Sequence, residues 1–191
     1  MRSSRLYTLI CSALAAALMC VAAQLSIQLG PIPLTLQLLA ALLLPFLLRP
    51  FGVAAAMGIY ILVGLAGLPV FASGGGGIGY VLKPSFGFVL GMAAFAVLCS
   101  VLHGKLLSKN LSGWKTAAAR GAIMLLTVLG TYAVGVLCMF LILNLTGTEV
   151  TFSYCLAYGV LPFILPDVIK CAIALAIVTL LRPALEKAHL I

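Results

Sequence analysis

A stretch near the N-terminus, from Leu6 to Leu29, contains no charged side chain, and similar apolar stretches recur as far as Leu181. About 20 apolar residues in a helix suffice to cross the hydrocarbon core of a bilayer. A soluble domain must face water and carries roughly 25% charged residues. This chain has 7% charged and 64% hydrophobic residues. The sequence therefore predicts an integral membrane protein that has the lipid bilayer as its solvent.

Turn residues and charges divide the chain into about six apolar stretches. Gly30-Pro-Ile-Pro33 ends the first of them, and Arg49-Pro50 separates two stretches that are short for a full span and are either tilted or partly re-entrant. The predicted crossings are Leu6 to Leu29, Leu34 to Leu48, Phe51 to Leu65, Ser85 to Leu102, Ala122 to Leu143 and Tyr158 to Leu181. We therefore predict an all-α membrane protein with about six transmembrane helices, the first of them retained, in a single domain over residues 1–191.

The basic residues predict the orientation of the chain, because cytoplasmic loops carry an excess of Lys and Arg. If both termini are cytoplasmic, only Lys83 and Lys170 fall elsewhere. The basic residues placed inside are Arg2, Arg5, Arg49, Lys105, Lys109, Lys115, Arg120, Arg182 and Lys187. We therefore predict a multi-pass protein of the cell membrane with cytoplasmic N- and C-termini, in which the segments 72–80 and 144–153 face outward.

The net charge of +8 could also indicate a nucleic-acid partner. That interpretation requires basic residues gathered on one exposed face, whereas here apolar stretches separate them. We therefore predict no nucleic-acid partner.

The six cysteines contain no C-x-x-C pair, so we expect packing residues and neither a disulfide framework nor a metal site. Motifs typical of hydrolases and nucleotide-binding proteins are also absent from the sequence, which favours neither an enzyme nor a resident cofactor.

Asp167 is the only acidic residue inside an apolar stretch, and Lys170 follows it three positions later. On a helix these two side chains share a face and can touch. Charges at this depth cost at least about 2.5 kcal/mol each and usually serve a function. A pair that only braces the helix is the alternative, although apolar residues of the same volume would often do so equally well. Pro162 and Pro166 predict free carbonyls around the same place. We therefore predict an outward-facing polar pocket.

Two further features are rich in small residues. The glycine-rich loop from Ala72 to Tyr80 is either a flexible linker or a cap whose backbone packs closely over a ligand. The spacings Ala13-x-x-x-Ala17 and Gly87-x-x-x-Gly91 allow a neighbouring helix to approach closely, either within the chain or from a partner.

Three segments together resemble the BioY family, in the same order and over nearly the whole chain. They are Gly30-Pro-Ile-Pro-Leu-Thr-Leu-Gln37, Gly67-Leu-Pro-Val-Phe-Ala72 with the glycines that follow, and Pro162 to Lys170. The chain departs from the family pattern at Leu165-Pro166, where Pro-Gly is common, and at Ser85-Phe-Gly-Phe88, where Thr-Gly-Gly-Tyr is frequent.

This resemblance implies the biotin-binding S component of an energy-coupling factor (ECF) transporter. It implies six helices, an outward pocket capped by the glycine-rich loop, and docking through Ala13 and Ala17 to a membrane subunit driven by paired ATPases. Lys170 would then contact either the carboxylate or the ureido carbonyl of biotin. The implied substrate-binding residues are Asp167, Lys170, Gly76, Gly77, Gly79, Tyr80, Ser85 and Phe88.

Three alternatives stay open at this stage. The first is an S component for another small vitamin, such as riboflavin or thiamine. The second is an intramembrane enzyme, which would need a nucleophile with a base, or a metal cluster. The third is a structural membrane protein in which the Asp167 and Lys170 pair only locks helices together.

Overall fold

The computed structural model describes residues 2–28, 30–107 and 113–187, and these are mostly helical. The described residues form seven α-helices, and a two-stranded antiparallel hairpin follows the first of them. The helices are α1 (Arg2–Gln24), α2 (Gln37–Leu47), α3 (Pro50–Leu65), α4 (Phe86–Leu107), α5 (Trp114–Leu145), α6 (Phe152–Gly159) and α7 (Ile164–Lys187), and the strands are β1 (Ser26–Gln28) and β2 (Pro33–Thr35).

Four segments of the described residues are long and apolar enough to cross a membrane: 6–24, 86–106, 114–145 and 152–185. This confirms an apolar helical protein with several candidate spans. α2 and α3 have 11 and 16 residues, which is less than the roughly 20 that a perpendicular crossing needs. The prediction of six complete crossings therefore stays a prediction, as does the capping role of the glycine-rich loop.

Several predicted boundaries are wrong. Leu34 lies in β2 and not in α2, and α4 continues past Leu102 to Leu107. The last predicted crossing, Tyr158 to Leu181, is divided between α6 and α7. The first helix ends at Gln24, and the chain then forms β1, in which Ser26 pairs with Thr35 of β2. The predicted end at Leu29 lies outside the described residues. α5 begins at Trp114 and includes Lys115 and Arg120, which were expected in a loop. Lys and Arg are good helix formers, so the helix continues past the apolar segment. Lys109, which also lies between the predicted fourth and fifth crossings, is outside the described residues.

The tightest helix pair is α4 with α5, and it uses the predicted glycine spacing. A β-carbon placed on Gly91 would lie 2.9 Å from the Cα of Thr131, and one on Gly87 would collide with the side chain of Cys138. The interpretation of Gly87-x-x-x-Gly91 as packing within the chain is therefore confirmed. α1 packs mainly against α3.

One end of the bundle gathers the elements that form a cavity. The hairpin, the segment 66–85, the start of α2, the start of α4 and the start of α7 all lie there. Gln24 at the end of α1 donates from Nε2 to the carbonyls of Pro69 and Phe71, at 2.9 and 3.2 Å. Ser73 contacts Gln28 and Ser26 across the same junction. The hairpin and the glycine-rich segment are therefore held together beside the cavity.

Candidate functional site

A cavity lies inside the helix bundle, at the end opposite the start of α1 and the end of α7. The empty space inside it is about 530 Å³, including its open mouth. Its wall is mainly apolar, with a few polar groups. The lining residues are Ile32, Pro33, Thr35, Gln37, Leu38, Ala72, Tyr80, Ser85, Phe88, Val89, Met92, Thr131, Tyr132, Phe163, Asp167 and Lys170.

Asp167 and Lys170 form an ion pair in the wall of this cavity. The Nζ of Lys170 lies 2.7 Å from Oδ1 of Asp167, as their spacing on one helix predicts. The two residues are only 4% and 7% exposed, so water screens their charges little. A buried charge needs a partner, and each of these side chains supplies the other with one. The predicted contact between them is confirmed; their role in binding stays a prediction.

Tyr132 of α5 completes this polar group, which we call the polar pole: Tyr132, Asp167 and Lys170. The hydroxyl of Tyr132 donates to Oδ2 of Asp167 at 2.6 Å. Both carboxylate oxygens of Asp167 therefore have a donor from the protein. Tyr132 was not predicted as a site residue, because a tyrosine in an apolar helix usually packs in the core.

A second polar group missed from the sequence begins at Gln37, which is 3% exposed. Its Oε1 accepts from the hydroxyl of Thr35 at 3.1 Å, and its Nε2 donates to the hydroxyl of Tyr60. Thr35 and Gln37 both line the cavity. The only sequence signal for Gln37 as a site residue was a glutamine between apolar residues. It ends the segment from Gly30 to Gln37 that resembles the BioY family.

Three other predicted site residues, Tyr80, Ser85 and Phe88, line the cavity. The oxygens of Tyr80 and Ser85 are 3.1 Å apart, and the Tyr80 ring stacks on Phe71 with centroids 4.4 Å apart. Burial raises the pKa of the Tyr80 phenol, and the hydrogen bond with Ser85 lowers it by less. Tyr80 is therefore protonated at neutral pH and available as a donor.

Gly76, Gly77 and Gly79 were also predicted to contact the ligand, but they are not among the residues that line the cavity. Gly77 has a φ of +84°, and its N–H donates to the carbonyl of Gly64 at 2.8 Å. A β-carbon on Gly76 would collide with the carbonyl of Leu68, whereas one on Gly79 would meet nothing within 4 Å. The glycines therefore hold the loop against the end of α3, which fixes the position of Tyr80.

Gly76→Ala is expected to weaken ligand binding about fivefold or more, because the new methyl group forces the loop and Tyr80 away from the cavity; overpacking of this kind typically costs about 1–3 kcal/mol. Gly79→Ala is the matched change, since it adds the same methyl group in open space and leaves the backbone in place. Titration of both purified variants with biotin, the ligand that the family resemblance implies, checks this. Equal affinities would contradict the positioning role of Gly76.

The two prolines act differently from the prediction. Pro166 lies in the first turn of α7, where its missing N–H would have had no partner within the helix anyway. Pro162 lies in a short 3-10 turn, Leu161–Phe163, that separates α6 from α7. The prolines therefore terminate and start helices, and this places Asp167 at the beginning of α7. The expectation that they release carbonyls toward the cavity stays a prediction.

A bundle of long apolar helices around a cavity with a buried ion pair defines a multi-pass membrane protein with an internal polar pocket. The chain belongs to the BioY family, whose model matches residues 1–187.

Relatives and a solved structure agree with this assignment. The chain is 34% identical over 170 residues to biotin transporter BioY2 of Lactococcus lactis subsp. cremoris, covering 89% of this chain and 87% of that one. It is 32% identical over 165 residues to a probable biotin transporter BioY of Pyrococcus horikoshii, covering 86% and 90%. It also resembles the crystal structure of the S-component for biotin from an ECF-type ABC transporter, with a TM-score of 0.83, 26% identity and coverage of 96% and 94%.

Proposed function

We propose that this protein captures biotin and delivers it into the cell as the S component of an ECF transporter. The observation that carries this proposal is the position of the buried Tyr132, Asp167 and Lys170 group in the cavity wall of a BioY family member. The relatives named as biotin transporters and the likeness to a biotin S-component support the choice of ligand. Transport, and not catalysis, is therefore the function of this pocket.

The chemistry of biotin fits the cavity. Its ureido group offers two N–H donors and one carbonyl acceptor, and its fused ring and valeryl chain are apolar. Asp167 can accept from a ureido N–H, and Lys170 can donate to the ureido carbonyl or pair with the carboxylate. Phe88, Met92 and Phe163 supply apolar wall for the ring system. We propose Asp167, Lys170, Tyr80, Ser85 and Phe88 as ligand contacts, with Gly76, Gly77 and Gly79 capping the pocket.

Any ATP hydrolysis that drives uptake would come from partner subunits, because the sequence contains no nucleotide-binding motif of its own. We propose a membrane subunit with paired ATPase subunits as these partners. Ala13 and Ala17 are exposed on α1, whereas Ala15 and Ala16 are buried against the bundle. Small exposed residues spaced by four let another helix approach closely, so this face of α1 is the proposed docking surface.

We propose that the protein lies in the cell membrane with both termini cytoplasmic. A single cysteine at Ser73, after replacement of the six native cysteines, should then react with an impermeant reagent in intact cells. A single cysteine at Lys115, at the start of α5, should react only after the cells are opened. Both positions are exposed, so accessibility does not limit either reaction. The opposite pattern would contradict the orientation.

Uptake by cells that cannot synthesise biotin tests the proposed function directly. Cells that produce this protein together with an ECF membrane subunit and its ATPases should accumulate radiolabelled biotin, and excess unlabelled biotin should abolish the signal. Excess riboflavin or thiamine should have no effect. Absence of biotin uptake, with uptake of radiolabelled riboflavin or thiamine in its place, would favour an S component for another vitamin.

A further inference from the structure

The carboxylate of Asp167 is already occupied on both oxygens before any ligand binds. Lys170 of the same helix contacts Oδ1 at 2.7 Å, and Tyr132 of α5 donates to Oδ2 at 2.6 Å. A carboxylate offers about four lone-pair positions. Each oxygen therefore keeps acceptor capacity for a ligand, in directions that the two protein donors determine.

The charges of the polar pole cancel before a ligand arrives. Asp167 and Lys170 are the charged residues that line the cavity, and they carry one negative and one positive charge. Tyr132 adds a donor without adding a charge. A neutral N–H donor leaves this balance intact, whereas a cationic donor would leave a net positive charge in a buried site, which is costly.

We infer that the polar pole selects an electrically neutral urea-type group over its cationic isostere, and that Tyr132 is the positioning residue that adapts Asp167 to this task. This inference rests on the proposed binding of biotin. It goes beyond that proposal because it names the property by which the site selects its ligand, the charge of the ring group. Tyr132 holds Asp167 in one orientation and withdraws charge from Oδ2. Without the hydroxyl of Tyr132, Oδ2 of Asp167 has a free acceptor site that suits an additional or charged donor.

Competition between biotin and 2-iminobiotin tests this inference. 2-Iminobiotin replaces the ureido carbonyl by an imine, so its ring carries a guanidine-type group that is protonated at pH 6. Displacement of radiolabelled biotin from the full-length purified protein gives the ratio of the two affinities. Because both ligands are measured on one preparation, the ratio does not depend on the fraction of protein that is folded.

The unmodified protein should bind biotin at least about 100-fold more tightly than 2-iminobiotin at pH 6. Tyr132→Phe should reduce this ratio roughly tenfold, the effect of losing one hydrogen bond to a charged group. Lys170→Met should shift preference further toward 2-iminobiotin, since it leaves the pole with a net negative charge.

Two matched tyrosine changes serve as controls. Tyr154→Phe alters an exposed residue that packs on Tyr158, so the ratio and the biotin affinity should both stay the same. Tyr60→Phe removes a buried hydroxyl that pairs with Gln37, so the ratio should change less than about twofold even where affinity falls. If Tyr132→Phe lowers the affinities for biotin and 2-iminobiotin by the same factor, the inference is overturned and Tyr132 is a structural residue. Absence of biotin binding by the unmodified protein would overturn the proposed function, and the inference with it.

Discussion

Asp167→Asn is expected to weaken biotin binding at least tenfold. The amide offers one acceptor oxygen, turns a donor toward the ureido N–H groups, and leaves the buried Lys170 without its counter-charge. A hydrogen bond to a charged group is worth about 1.5–3 kcal/mol, and an unsatisfied buried partner adds to the loss. Titration of the purified variant with radiolabelled biotin measures the change. Lys170→Met should also weaken biotin binding, because it removes a donor and leaves the buried Asp167 without its counter-charge.

Biotin amide then assigns the partner of Lys170, because it keeps the ureido ring and lacks the carboxylate. Weak binding of the amide to the unmodified protein would show that Lys170 pairs with the carboxylate. Tight binding would assign Lys170 to the ureido carbonyl. If both variants fold correctly and bind biotin normally, the ion pair only braces α7 and the proposed site is wrong.

Replacement of both Ala13 and Ala17 by Trp is expected to abolish biotin uptake and to leave biotin binding unchanged. The bulky side chains would prevent close approach of a partner helix to α1, while the cavity lies between other elements. Uptake in cells that contain the ECF subunits, and titration of the purified variant, together measure the two effects.

A matched control exists on α5, where Ala118 and Ala122 have the same spacing and are also exposed. The double change of these two residues to Trp adds equal bulk to a different face and should retain uptake. Normal uptake by the Ala13 and Ala17 variant would contradict the proposed docking surface. Equal loss in both double variants would indicate a general effect on the membrane-embedded fold.

The sequence predicted the ion pair because both partners lie on one helix, three positions apart, in a segment with no other charge. It could not predict the Tyr132 contact, which joins α5 to α7 across 35 positions of the chain. That contact depends on how α5 and α7 are placed in the bundle, which the local pattern does not specify. Gln37 was missed for the same reason, since its partner Tyr60 lies on α3.

The fold was predictable where length and hydropathy were decisive and less so at element ends. Apolar composition identified the long helices, whereas the hairpin has strands of only three residues, too short for an alternating pattern. The charges of Lys115 and Arg120 suggested a loop, but a helix can continue beyond the bilayer with basic residues in it. The number of complete crossings depends on the tilt of α2 and α3, which sequence length alone does not determine.

Binding of biotin to the purified protein is the most direct test of the proposed function. Titration with radiolabelled biotin should give saturable binding of one biotin per chain, displaced by unlabelled biotin and unaffected by an excess of riboflavin or thiamine. A correctly folded preparation that binds no biotin, or that binds one of the other vitamins in its place, would contradict the account.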